Sequence, residues 1–213
     1  MPVNYVVQSQ VVDLRTDTPK ATDRFYVDTN VWFWTVYARL GLAPTQTQPR
    51  PNQLRDYPRY LKAALTVRAD LRLSGLSFSE LAHRIEKTEF DIYCQITAGA
   101  RPKPKEFRHN LAGERQRVMQ EVEAAWHAVE AMGKHLDKPV SIDAATTTAA
   151  LQELKARPLD GYDVFALQAA LASGITQILS DDGDFCVVPG ITLLTANRTV
   201  ITAASDQGKL VTR

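Results

Sequence analysis

The chain has 213 residues, a formal net charge of +1 and 45% hydrophobic residues. That length suits one domain with a sizeable core and room for an insertion. The near-neutral charge excludes a basic footprint spread over the whole molecule, so any attraction for a polyanion must be local.

No stretch approaches 18 consecutive apolar residues, which excludes a membrane-spanning helix and leaves no membrane partner to expect. The start of the chain lacks the cationic segment and apolar block of a signal peptide. Cys94 and Cys186 lie far apart in no CxxC pattern, and free thiols in a reduced, cytoplasmic protein are the simplest reading.

Residues 1–23 are weakly patterned and read as an arm or an extra edge strand. RFYVDTN (24–30) begins as a strand, through Phe25, Tyr26 and Val27, and stops abruptly at polar residues. VWFWTVYARL (31–40) is apolar enough for a buried helical turn or two, with Asn30 placed to cap it. APTQTQPRPNQ (43–53) reads as a loop. Leu54, Leu61, Ala64, Leu65 and Val67 recur at roughly helical spacing, with Pro58 as a kink or late start. LRLSGLSF (71–78) reads as a strand, and residues 79–97 as a helix capped by Ser79. RPKPKEFRHN (101–110) reads as a basic linker or exposed loop. Residues 109–137 predict one long amphipathic helix ended by Pro139, and residues 142–157 a helix capped by Asp143. GYDVFALQAALASG (161–174) is a helix stopped by Gly174. ITQILS (175–180) is a strand, DDGDF (181–185) a turn and ITLLTA (191–196) another strand.

Strands separated by helices predict an α/β fold with a mostly parallel sheet, and such sheets bind ligands at the carboxyl ends of their strands. Asp28 follows the first strand of that pattern, Glu80 lies just past the second, Asp163 opens a helix, and Asp182 follows ILS. All four are expected near one sheet edge. Crowded carboxylates raise one another's pKa values, and a hard dication removes the conflict. Oxygen-only ligation suits Mg2+ or Mn2+ rather than Zn2+. Mg2+ on carboxylates implies phosphate chemistry, and the chain has neither a GxSxG elbow nor a GxxxxGK[ST] loop. Taken singly, each acid has an ordinary reading as a turn, cap or first-turn residue. The case rests on their joint placement.

Three segments resemble the motifs of PIN-domain ribonucleases. VDTNVW (27–32) looks like the opening motif, SFSELAHR (77–84) like the second, and GYDVFALQAALASGITQILSDDGDF (161–185) like the third and fourth, in the same order. The resemblance covers roughly 24–98 and 140–197. It implies a PIN-like three-layer sandwich over 24–197, with a helical insertion at about 99–138 and a C-terminal tail at 198–213. It also implies a metal-dependent endoribonuclease in which Asp28, Glu80, Asp163 and Asp182 hold Mg2+ or Mn2+. Asp184 competes with Asp182 in the same short turn. Asn30 and Ser79 would be supporting polar residues, with Thr29 a weaker choice. Many small members are VapC-like toxins paired with an antitoxin protein, and such domains often form homodimers. The N-terminal arm and the 99–138 segment make this chain longer than those compact toxins.

Two basic stretches would grip an RNA backbone: Arg101, Lys103, Lys105 and Arg108 in one, Arg55 and Arg59 in the other. A solvated helix face explains them equally well. A haloacid-dehalogenase-like phosphatase also opens on a strand and an Asp, but its usual second acid would fall at Asn30. A catalytically inert PIN fold binding RNA or protein is disfavoured by the presence of all four carboxylates.

Overall fold

The computed structural model describes residues 3–44, 48–97 and 101–213. Residues 45–47 of the expected loop, and the start of the expected insertion at 99–100, lie outside the described residues. Six strands form one parallel sheet: β1 (Gln10–Asp13), β2 (Arg24–Val27), β3 (Asp70–Leu73), β4 (Lys134–His135), β5 (Gln177–Leu179) and β6 (Thr192–Thr195), in the order β1-β6-β5-β2-β3-β4.

Successive strand residues point to opposite faces. Phe25, Val27, Leu71, Leu73, Leu179 and Leu194 pack on one side, while Val11, Tyr26, Ile178 and Leu193 pack on the other. Both faces are apolar, as a parallel sheet covered by helices requires. The first face is covered by α1 (Thr29–Val36), α2 (Pro51–Thr66), α3 (Gly75–Ile96), α4 (Pro104–Asn110) and α5 (Ala112–Met132). The second is covered by α6 (Ala144–Ala156), α7 (Gly161–Ala172) and α8 (Arg198–Asp206). The protein is thus an α/β three-layer sandwich, consistent with the PIN-like architecture expected.

Strand order decides where a site can form. From β2 the chain steps outward to β3 and β4 through helices on the first face. It then returns through α6 and α7 on the opposite face and places β5 on the other side of β2. Parallel crossovers keep one hand, so reversing direction moves the helices to the other face. The reversal leaves a crevice outside the C-terminal ends of β2 and β5.

Several local expectations are corrected. The second-motif strand stops at Leu73, because Ser74 caps α3: its Oγ accepts from the Ser77 N–H at 3.4 Å, and Ser77 Oγ accepts from the Ser74 N–H at 3.2 Å. Ser79 is therefore inside the helix and exposed, not a cap. Asn30 is likewise inside α1, and Asp28 holds the cap position. The expected basic loop at 101–110 is mostly helix. Pro104 sits at its first turn, where a missing N–H costs nothing, and Phe107 is buried against Phe90 and Tyr93. The expected long helix is broken at Leu111, outside helical geometry, and ends at Met132 well before Pro139.

Asp143 does cap α6, accepting from the N–H groups of Ala145 and Thr146 at 2.9 Å each. Gly174 follows α7 with φ of 71°, the left-handed conformation that favours glycine there. The two chain ends meet at the sheet edge. Residues 3–23 supply β1 beside β6, and residues 198–213 contain α8 and a bridge from Leu210 to Val11. Arg213 then pairs with Asp17 at 2.5 Å and Asp23 at 2.9 Å, whose side chains are almost fully buried.

Candidate metal centre

Asp28 is fixed first by backbone. Its N–H donates to the Leu179 carbonyl at 3.1 Å, continuing the β2–β5 ladder to the crevice. The residue is 6% exposed, and its carboxylate accepts from Ser180 Oγ at 2.6 Å and from Asn30 Nδ2 at 3.4 Å. Ser180 Oγ in turn accepts from the Asp182 N–H at 2.9 Å, and Asp182 Oδ1 accepts from the Asp184 N–H at 2.9 Å. One hydroxyl thus couples the acid after β2 to the acidic turn after β5.

Asp163 reaches the same edge from the first turn of α7. That helix is capped by Asp160, which accepts from the N–H groups of Tyr162 and Asp163 at 2.8 and 2.9 Å. Asp163, Asp182 and Asp184 each present one carboxylate oxygen within 4.8 Å of the other two. The turn therefore contributes both of its competing acids. Asp28 and Glu80 stand outside this trio but act on it electrostatically. Glu80, on α3, is half-buried and lies 3.7 Å from Arg84.

Crowding and burial act in the same direction here. Burial pushes the Asp163 carboxyl up to about 9, assisted by the charges of Asp28, Asp160, Asp182 and Glu80. Burial also lifts Asp28 to about 6; the Ser180 hydrogen bond opposes this, and Glu80 and Asp182 add to it. Asp184 is raised by burial and by Asp182 and Asp160. Asp163 Oδ2 is buried and has no hydrogen-bond partner among the described residues. A buried, unpaired carboxylate oxygen is costly unless a cation satisfies it. An oxygen-only donor set of this spacing fits one hard dication with ligand distances of about 2.0–2.6 Å.

Of the expected supporting residues, Asn30 lies against the site and Ser79 does not. Asn30 touches Asp28, and Thr29 is buried beside it in α1. Ser79 is exposed; the buried serines of that motif are Ser74 and Ser77, which lie 3.3 and 3.4 Å from the Tyr26 hydroxyl. Of the basic residues expected to hold RNA, Arg101 pairs with Asp91, Arg108 with Glu86 and Arg55 with Asp56. Arg59 donates to the Arg15 carbonyl, while Lys103 and Lys105 are exposed.

Ser180 and Asp160 were not singled out from the sequence, although a hydroxyl two residues before the turn acid and an Asp three residues before Asp163 were both visible. A third omission is Tyr5. Gly183, in the middle of the acidic turn, has an ordinary φ of −74°, so backbone conformation does not demand glycine. Space does: a Cβ there would overlap the Tyr5 ring and hydroxyl. Gln207 holds the Tyr5 segment, donating to the Tyr5 carbonyl at 2.8 Å and accepting from the Val7 N–H at 2.9 Å. The N–H groups of Gln8 and Ser9 bind the Cys186 carbonyl. Tyr5 thus clamps the turn that carries Asp182 and Asp184.

Fold and site together define a class: an α/β sandwich with a carboxylate-lined crevice at the reversal point of a parallel sheet. No family model matches the chain, and no curated protein matches it.

Two outcomes follow from this geometry. Both raised carboxyls have folded values above their ordinary 3.8, so the folded protein keeps protons that the unfolded chain releases. Their contribution to stability is complete below pH 3.8 and is lost as pH rises through about 6 for Asp28 and about 9 for Asp163. Urea midpoints in chelator should therefore show a downward component across pH 5–9 that Asp163→Asn flattens; an unchanged slope in that variant would contradict the assignment. Gly183→Ala should displace Tyr5 or the turn and weaken Mn2+ binding by about tenfold or more. Adding Tyr5→Ala should restore much of the loss. Titration calorimetry reads both, and wild-type affinity in Gly183→Ala alone would show that Tyr5 does not clamp the turn.

Proposed function

We propose that the chain is a Mg2+- or Mn2+-dependent endoribonuclease of the PIN type, hydrolysing RNA phosphodiester bonds. One observation carries the metal-dependent part: the buried Asp163 oxygen, unpartnered among the described residues, within a three-carboxylate group at the crevice. RNA as substrate is supported only by resemblance, in the order of the motifs at Asp28, Glu80, Asp163 and Asp182.

In this reading Asp163, Asp182 and Asp184 hold the metal, and Asp28 and Glu80 complete its acidic surroundings. The bound dication would lower the pKa of a water and offset charge on the phosphate. Ser180 keeps the Asp28 carboxylate and the turn in register, and Asp160 fixes the start of α7 so that Asp163 points inward. No covalent nucleophile is needed. The same resemblance extends the proposal to a cytoplasmic toxin held inactive by an antitoxin protein and acting as a homodimer. Both cysteines are free, as a reducing compartment requires.

Cleavage of labelled single-stranded RNA tests the reading. Wild-type protein should cut RNA with Mg2+ or Mn2+ and lose the activity in chelator. Asp28→Asn should fold normally by circular dichroism and cut more than about 100-fold more slowly, beyond the usual cost of losing an outer-sphere partner. Equal cleavage by metal-free protein would overturn the proposal; tight RNA binding without turnover would replace it with a binding module.

A further inference from the structure

Most arginines of this chain are already paired. Among the described residues only Arg50, Arg59, Arg68 and Arg198 have no carboxylate within 4.0 Å, and Arg59 is spent on the Arg15 carbonyl. Two of the remaining three, Arg50 and Arg198, line the same cavity of about 400 Å3. Arg50 precedes α2 and Arg198 opens α8, so two distant stretches of sequence bring unpaired guanidinium groups together. Arg55 adds a third; it is bound in bidentate fashion to Asp56, yet its side chain stays 68% exposed.

The floor of the cavity is built rather than loose. Asp181 is its one acid, and both carboxylate oxygens are engaged inside the protein: one accepts from the Tyr57 hydroxyl at 2.7 Å, the other from Gln53 Nε2 at 2.5 Å. Asn197 donates to the Asp181 carbonyl at 2.8 Å while its own oxygen caps α8. The Arg50 charge still acts on Asp181, but three guanidinium groups line the cavity against that one acid. Asp181 is also chain neighbour to Asp182, so the cavity adjoins the acidic centre on its β6 side.

We propose that this cavity is a phosphate subsite that grips the backbone of a single-stranded RNA one or more nucleotides away from the acidic centre. Guanidinium groups bind phosphate through paired N–H donors. A centre that repels polyanions when metal-free needs such a counterweight to hold a strand across it. The inference rests on the nuclease reading for the choice of RNA, and the grip itself can be measured without cleavage.

The test is fluorescence anisotropy of an unstructured oligoribonucleotide in chelator, over a range of KCl concentrations. Losing two phosphate contacts should lower the slope of log affinity against log salt by about 1.4, at about 0.7 per contact on a single strand. Arg50→Ala/Arg198→Ala should show that loss together with weaker binding, and the double lysine variant should retain most of the slope. Arg68→Ala is the control: Arg68 lies between α2 and β3, at the opposite end of the strands, and should change neither quantity. All these side chains are exposed, so the variants should fold.

Unchanged binding in the double alanine variant, an equal loss in Arg68→Ala, or no RNA binding by the wild type would each overturn the subsite. The two readings fail separately. Cleavage that persists with unchanged affinity in the double variant removes the subsite and leaves the nuclease. Arginine-dependent binding without metal-dependent cleavage removes the nuclease and leaves the grip.

Discussion

Repulsion among carboxylates at the reversal point of the sheet is the constraint on which the rest of this molecule turns. Asp28 arrives on β2, Asp182 and Asp184 on the turn after β5, and Asp163 on the helix between β4 and β5. The fold brings them together because β5 must dock on the side of β2 opposite to β3. Without a cation the site relieves itself by holding protons, with Asp163 raised to about 9. A protein built only for stability would place a hydrogen-bond donor against Asp163 Oδ2; among the described residues none is there.

The surroundings reinforce that geometry instead of relaxing it. Ser180 ties Asp28 to the acidic turn, Asp160 fixes the start of α7, and Tyr5 presses on Gly183 from outside. The N-terminal segment therefore belongs to the site as well as to the sheet edge. Its β1 strand, its bonds to Cys186 and Gln207, and the Arg213 pairs with Asp17 and Asp23 lock both chain ends beside β6. Past the C-terminal end of β6, the arginine cavity would supply the opposite charge that a polyanion needs.

The parts legible in the sequence were those carried by local pattern. Apolar runs ending in Asp gave β2 and β5, because a strand stops where its side chains no longer fit the core. Asp143 and Gly174 were legible because caps act within a few residues. Where two local rules compete, pattern alone misplaces the boundary. The alternating run at 71–78 looked like a longer strand, and only the paired Ser74 and Ser77 show that the helix begins first. Prolines at 102 and 104 looked like a loop, although Pro104 starts a helix whose stability comes from burying Phe107. Long-range features had no local signal. The contact of Tyr5 with Gly183, and the convergence of Arg50 with Arg198, join residues far apart in sequence. The charge patches carry no sign of pairing, yet Arg101, Arg108 and Arg55 each meet a carboxylate in the fold.

If these carboxylates hold one hard dication, crystals equilibrated with Mn2+ will reveal it by anomalous diffraction. A single strong manganese peak should appear, coordinated by oxygens of Asp163, Asp182 and Asp184 and engaging the Asp163 oxygen that has no partner among the described residues. An empty crevice at saturating Mn2+, or manganese bound only elsewhere on the surface, would contradict it.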